Sequence, residues 1–223
     1  MKEKIKEFLK ENAEWIIFTI CIIAFAIITT IVTISEEVAL DSSIYEKVNY
    51  ISSNRMTLFA KILTQLGSFK VISILTALSF LTIKDKKIGI KVFINILIIA
   101  LINQLIKFII RRERPDYRMV EERGYSFPSG HTMGAMGFYG FYIYLAYKCI
   151  DSKKLKMFII AFLATIIVSI GITRIYLGVH YPTDVIAGFF VTIAIIIVNV
   201  KLLDKVIVDT AQNEIIKEPV KDS

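Results

Sequence analysis

WIIFTICIIAFAIITTIVTI, residues Trp15 to Ile34, is an apolar run without one charged side chain. About 20 such residues reach across the hydrocarbon core of a bilayer. A helix suits that setting because it satisfies its own backbone groups where no water is available. Lys2, Lys4, Lys6 and Lys10 precede the run, a charge pattern that also opens secretory signals. The run is longer than a signal core, and Ser35-Glu36-Glu37 offers no small-residue cleavage site. It therefore reads as a retained helix.

Working outward, the chain has 223 residues, 55% of them hydrophobic, and a mean hydropathy of +0.62. That composition belongs to the membrane class. The formal charge of +7 invites a nucleic-acid reading, which we exclude because the lysines sit in short clusters between apolar runs, as membrane-flanking charges do. Cys21 and Cys149 match neither a metal-ligand nor a disulfide spacing.

Further apolar runs cover about 69–83, 90–110, 132–148, 157–173 and 183–201. The expected fold is all-α: one integral membrane bundle over 1–223 with six transmembrane helices. Gly67-Ser68 interrupts the stretch from Leu58 to Ile83. We therefore expect 58–66 as a short surface helix, with Lys70 reaching the interface. The segment 36–57 carries Val38, Ile44, Val48 and Ile51 at near-helical spacing, which extends the surface segment to 36–68.

Six spans put both termini on one side. Lysines crowd the N-terminal 1–14, the 84–91 and 148–156 connections, and the C-terminal end with Lys201 and Lys205, where the 204–223 tail reads as a solvated end. The positive-inside rule makes that face cytoplasmic. Every arginine (Arg55, Arg111, Arg112, Arg114, Arg118, Arg123, Arg174) then falls on the opposite, outer face. Arginine grips phosphate in a bidentate way, so a phosphate site belongs there. Contact with anionic lipid heads is the other account, notably for Arg55, Arg118 and Arg123.

Three short stretches map to the outer helix ends. In the first, Lys107 and Arg114-Pro115 share a face if the helix runs through 114. Their separation along the axis is then about 10 Å, and both can reach one anion. They can equally be interface anchors. The second, Pro128-Ser129-Gly130-His131, opens a helix. Its glycine lets backbone N–H groups approach an anion, while Ser129 can serve as a plain N-cap. In the third, Arg174 is followed by His180 and Asp184. A carboxylate beside an imidazole fixes its tautomer and stabilises developing charge; it can also simply cap a helix.

Taken together, Lys107-x6-Arg114-Pro115, Pro128-Ser129-Gly130-His131 and Thr173-Arg174-x5-His180-x3-Asp184 resemble the type-2 phosphatidic acid phosphatase superfamily. That family includes bacterial phosphatidylglycerophosphatases and undecaprenyl-diphosphate phosphatases. The likeness spans 107–184, and Thr173 stands where the pattern usually has serine. The resemblance implies that His180 is the nucleophile, forming a phosphohistidine that Asp184 supports, and that His131 protonates the leaving oxygen. Lys107, Arg114, Ser129, Gly130 and Arg174 would hold the phosphoryl oxygens. Three fixed cations can supply the charge stabilisation that phosphoryl transfer needs, so no metal or cofactor is expected.

The expected function is hydrolysis of a glycerophospholipid phosphomonoester, either phosphatidylglycerol phosphate or phosphatidic acid. The alternatives are an undecaprenyl-diphosphate phosphatase and a non-catalytic anion or lipid transporter. The expected partners are the lipid substrate and the membrane. Tyr125, Phe127, Tyr176 and Tyr181 fall near the site level, either lining its mouth or forming an interfacial belt. Gly134, Gly137 and Gly140 along the fourth span read as close helix packing.

Overall fold

A computed structural model describes residue 7 and residues 11–35 and 38–217, with side chains up to residue 203 except 49 and 51. The 204–223 tail, expected to be a solvated end, lies outside the described side chains. Among the described residues the structure consists of helices and their connections, without a strand.

Helix α1 (Ala13–Ile34) turns large apolar side chains outward, Ile20 and Ile27 among them. Its threonines do not leave hydroxyls unpaired in that setting. Thr19, Thr29, Thr30 and Thr33 each donate to the carbonyl four residues back, which removes most of the cost of a polar group in lipid. Two shorter helices follow, α2 (Ala39–Ile51) and α3 (Asn54–Thr64). Ser53 starts α3 by accepting from the Met56 N–H. A 3₁₀ turn over Gln65–Gly67 leads into α4 (Phe69–Thr82), which Ser68 caps.

The long α5 (Lys86–Ile110) starts at Asp85, whose carboxylate accepts from Lys87 N–H at 2.9 Å. It ends where Arg111 adopts a left-handed conformation (φ 53°). After the 111–129 connection come α6 (Gly130–Cys149), α7 (Lys153–Tyr176) and α8 (Pro182–Lys217). Ser129 and Ser152 cap α6 and α7. Pro182 occupies the first turn of α8, where its missing N–H costs nothing.

Helix α6 stands inside the bundle and packs on α4, α5, α7 and α8. Ile99, Met133, Phe141 and Ile170 form the centre of the core. A Cβ on Gly137 would lie 2.5 Å from Ile99 Cδ1, so the expected close packing of the glycines holds at α5. There Asn95 Nδ2 donates to the Gly137 carbonyl at 2.9 Å, and Asn199 Nδ2 donates to Asn95 Oδ1 at 2.9 Å. This buried amide chain ties α5, α6 and α8 together.

Among the described residues, four helices are long and apolar enough to cross a membrane: α1, α5, α7 and residues 182–203 of α8. A fifth crossing is available if α3 and α4, bent by 44°, count as one. Two of the six expected spans do not qualify alone. The 14 residues of α4 reach only about 21 Å. Helix α6 has the length, but glycines and tyrosines replace aliphatic residues because its neighbours, rather than lipid, cover it.

Candidate active site

The three motifs meet at one end of the bundle, around a cavity of about 440 Å³. Lys107, Arg114, Gly130, His131 and His180 border it. Its apolar walls come from α4 and α5, with Phe69, Ile72, Ile96 and Ile99. Arg174 borders an adjoining space of about 270 Å³. Glu122 and His131 border both, and Glu122 is the one of the two that pairs with Arg174.

Arg114 reaches this cavity by a route different from the expected one. The helix stops at Ile110, four residues earlier than shared-face geometry requires, and residues 111–115 are not helical. The left-handed Arg111 turns the chain out of the helix axis. The Arg114 guanidinium is then fixed by carbonyls: Nε donates to Gly124 O at 2.9 Å, Nη1 to Val179 O at 2.8 Å and Nη2 to Arg123 O at 3.2 Å. The Lys107 ammonium donates to the Tyr125 carbonyl. Proline at 115 therefore does not terminate the helix; the turn at 111 does.

Nη1 of Arg114 also lies 3.2 Å from His180 Nε2. A guanidinium can only donate, so Nε2 is an acceptor and its lone pair points toward the cation. The ring proton then sits on Nδ1, which faces Asp184 Oδ2 at 3.4 Å. Asp184 is fully buried and His180 is 2% exposed. Burial first, then the charges of Arg114, Arg174 and Lys107, hold the His180 pKa well below its ordinary value. Burial and these cations thus favour the neutral form of the imidazole.

Gly178 delivers His180 to this place. It has φ +67°, and a Cβ there would sit 2.8 Å from the Tyr117 carbonyl, so the close turn after α7 excludes other residues. Asn103, which sequence reasoning passed over, braces the α6 start by donating to Pro128 O at 3.1 Å. The Asn103 Oδ1 would stand 3.2 Å from a Cβ on Gly130.

Arg174 is 1% exposed. It donates through Nη1 to Thr64 Oγ1 at 3.0 Å and through Nη2 to the Glu122 carboxylate. Its Nε is buried without a partner. Burial alone would push the Glu122 pKa up, but the charge of Arg174 and the hydrogen bond from it prevail and hold it below the usual carboxylate range. The Thr173 hydroxyl donates back to Ile170 O at 2.7 Å, so its departure from serine stays within the helix backbone.

Not every expected residue faces the cavity. Ser129 is fully buried and spends its hydroxyl as a cap, accepting from Thr132 N at 3.4 Å and Thr132 Oγ1 at 3.0 Å. Of the four aromatics, only Tyr125 borders the cavity. Phe127 stacks on Phe25 in the core, and Tyr176 bonds to Thr57. Tyr181 lies under the Arg112 guanidinium. Arg112 itself donates to Asp184 Oδ1 at 2.7 Å and to Asp41 Oδ2 at 2.8 Å. Neither Arg112 nor Asp41 carries a legible signal in the sequence. Among the described residues, no three His, Cys, Asp or Glu side chains converge as metal ligands.

Comparison with known proteins adds four findings. Residues 89–207 match the family model of the PAP2 superfamily. Phosphatidylglycerophosphatase B of Bacillus subtilis (strain 168) is 46% identical over 93 residues, 40% of this chain and 45% of that protein; the match thus spans under half of its length. An undecaprenyl-diphosphatase of Sulfolobus acidocaldarius is 25% identical over 186 residues, covering 78% of this chain and 84% of that one. In three dimensions, the crystal structure of a transmembrane PAP2 type phosphatidylglycerolphosphate phosphatase from Bacillus subtilis superposes with a TM-score of 0.75. That match is at 27% identity and covers 84% of this chain and 96% of that one.

Proposed function

The chain belongs to the PAP2 superfamily, and on that premise we propose that it is a membrane lipid phosphate phosphatase working through a phosphohistidine on His180. The observation that carries this reading is the state of His180: Nε2 is an acceptor beside Arg114, and Nδ1 faces Asp184. That is how a neutral imidazole is poised to attack phosphorus.

In the first half-reaction, the Nε2 lone pair forms an N–P bond as the P–O bond to the lipid breaks. His131, protonated once the negative charge of the bound phosphate stands beside it, gives that proton to the departing lipid oxygen. Arg114 leaves Nε2 and joins Lys107 and Arg174 on the equatorial oxygens, where charge builds. The Gly130 backbone at the α6 start contributes donors. For Arg174 to take part, the phosphate displaces Glu122 from it. In the second half-reaction, water attacks the phosphorus and gives a proton to His131, the N–P bond breaks, and inorganic phosphate leaves. Asp184 balances the positive charge on the imidazole while it carries the phosphoryl group.

The membrane arrangement belongs to the same proposal. The single 1–223 domain crosses six times, with α3–α4 as one bent span and α6 as the covered central one. Both termini face the cytoplasm and the 107–184 motifs face outward, in accord with the lysine distribution. The apolar α4 and α5 walls of the cavity suit a lipid whose tail remains in the bilayer while its phosphate reaches His180.

Phosphatidylglycerol phosphate is the proposed substrate by analogy with the Bacillus relatives, and phosphatidic acid, which carries the same glycerolipid phosphomonoester, is proposed with it. A polyprenyl diphosphate is the second reading, favoured by the Sulfolobus match over 78% of this chain. The test is turnover of the purified protein on all three lipids, with His180→Ala beside it. Release of phosphate from a glycerophospholipid, lost in His180→Ala, supports the first reading. Turnover confined to the diphosphate supports the second. Turnover of His180→Ala at the normal rate would overturn both.

A further inference from the structure

The 111–129 connection and α2 build a second layer behind His180. We infer that Arg112 and Asp41 are positioning residues for the reaction, holding the Asp184 carboxylate so that one oxygen stays aimed at the His180 ring. This rests on the phosphatase reading above and adds residues that its three motifs do not specify.

Arg112 is committed away from substrate. Nη1 donates to Asp184 Oδ1 at 2.7 Å and to Thr183 Oγ1 at 2.8 Å, and Nη2 donates to Asp41 Oδ2 at 2.8 Å. Its flat face lies 4.0 Å over the Tyr181 ring. Asp41 closes the network by accepting from Thr183 N at 3.0 Å and from Thr183 Oγ1 at 2.8 Å. Residues from α2, the 111–129 connection and α8 thus meet in one ring of charge-assisted bonds.

The geometry separates the two oxygens of Asp184. Oδ1 is taken by Arg112, while Oδ2 accepts from Tyr181 N at 2.9 Å and faces His180 Nδ1 at 3.4 Å. Asp184 is fully buried and Asp41 is 3% exposed. A buried carboxylate stays ionised only when it is paired and hydrogen-bonded. Arg112 provides that pairing, and without it the Tyr181 N–H is left to hold the carboxylate beside the imidazole. The charges also matter: Asp41 and Asp184 against Arg112 leave one negative charge behind His180. That surplus faces the imidazole when it carries a phosphoryl group. Asp41 therefore keeps Arg112 from neutralising Asp184 completely.

The experiment is a double-mutant cycle on the full chain in detergent, using radiolabelled phosphatidylglycerol phosphate so that slow variants remain measurable. Arg112→Met is expected to lower kcat about 10- to 100-fold, the equivalent of one charge-assisted bond, with KM nearly unchanged. In an Asp184→Asn background the same substitution should cost less than about threefold, because the group through which Arg112 acts has gone. Arg112→Lys should restore part of the rate, and Asp41→Asn should lower kcat in the same sense by a smaller factor. ¹⁵N NMR of the His180 ring, in a chain with two histidines, supplies a reading apart from turnover. The wild type should show one tautomer, protonated at Nδ1, and Arg112→Met a mixture. If Arg112→Met does not fold, Asp41→Asn carries both the cycle and the spectrum. An equal loss in both backgrounds with an unchanged tautomer would overturn the inference. So would a raised KM with normal kcat. Absence of wild-type turnover on any lipid phosphate would instead refute the phosphatase reading itself.

Discussion

Replacing Glu122 by glutamine should make the site bind phosphate more tightly. In the structure the Glu122 carboxylate holds Arg174, and Glu122 borders both the main cavity and the adjoining space that Arg174 lines. Substrate phosphate must displace it. A hydrogen bond to a charged partner contributes about 1.5–3 kcal/mol. Glu122 is 27% exposed, so solvent screening removes roughly half of that. About 1 kcal/mol then remains as the cost of displacement, which corresponds to about fivefold in affinity. Glu122→Gln keeps the shape and removes the charge. KM for phosphatidylglycerol phosphate and the inhibition constant for orthovanadate, which mimics the five-coordinate phosphorus, should both fall about fivefold, with kcat within about twofold. Because Arg174 holds the Glu122 pKa below the usual carboxylate range, the difference should persist above about pH 4.5 and shrink as Glu122 protonates below it. Steady-state kinetics with vanadate competition provide the measurement. Unchanged or weaker vanadate binding would refute the displacement argument, leaving Glu122 as a support for Arg174.

Three further outcomes follow from the same geometry. His180 must be neutral to attack, and its pKa lies well below the ordinary value because of burial and then Arg114. The acid limb of kcat/KM should therefore lie below about pH 6.5. Arg114→Gln removes a repelling charge, so protonation of His180 becomes easier and the limb should move to higher pH, as a pH–rate profile would show. Gly178→Ala forces φ +67° on a residue with a Cβ and drives that atom to 2.8 Å from the Tyr117 carbonyl. Its expected cost is about 1–3 kcal/mol, read as a lower Tm together with a reduced kcat. Asn103→Leu removes the donor to Pro128 O and should cost about 1–3 kcal/mol, with most of the activity lost because His131 sits on the loosened helix start.

Much of this site was legible because its chemistry is local. His180 and Asp184 lie four residues apart across a helix start, and Pro128 to His131 open a helix that Ser129 caps. Apolar runs located α1, α5, α7 and α8 because lipid demands a continuous aliphatic surface. The same reasoning is weaker for α6, whose neighbours cover it, and for α4, which is too short to span alone. The end of α5 was misread: a left-handed Arg111 has no sequence mark in a run of charged residues. Arg112 and Asp41 stand 71 positions apart, and only the packing of α2 against α8 reveals why both are needed. Ser129 was expected either at the phosphate or as an N-cap, and the structure shows its oxygen accepting as the cap; local pattern leaves that choice open.

The central claim is that phosphorus becomes covalently bound to one imidazole during turnover. Rapid quenching of the protein with phosphorus-labelled lipid phosphate under alkaline conditions, followed by peptide mass spectrometry, tests this directly. The account predicts a transient, acid-labile, alkali-stable phosphoryl group on His180 that rises and decays within one turnover and is absent from His180→Ala. Hydrolysis proceeding at full rate with no label on His180, or with the label on His131, would contradict it.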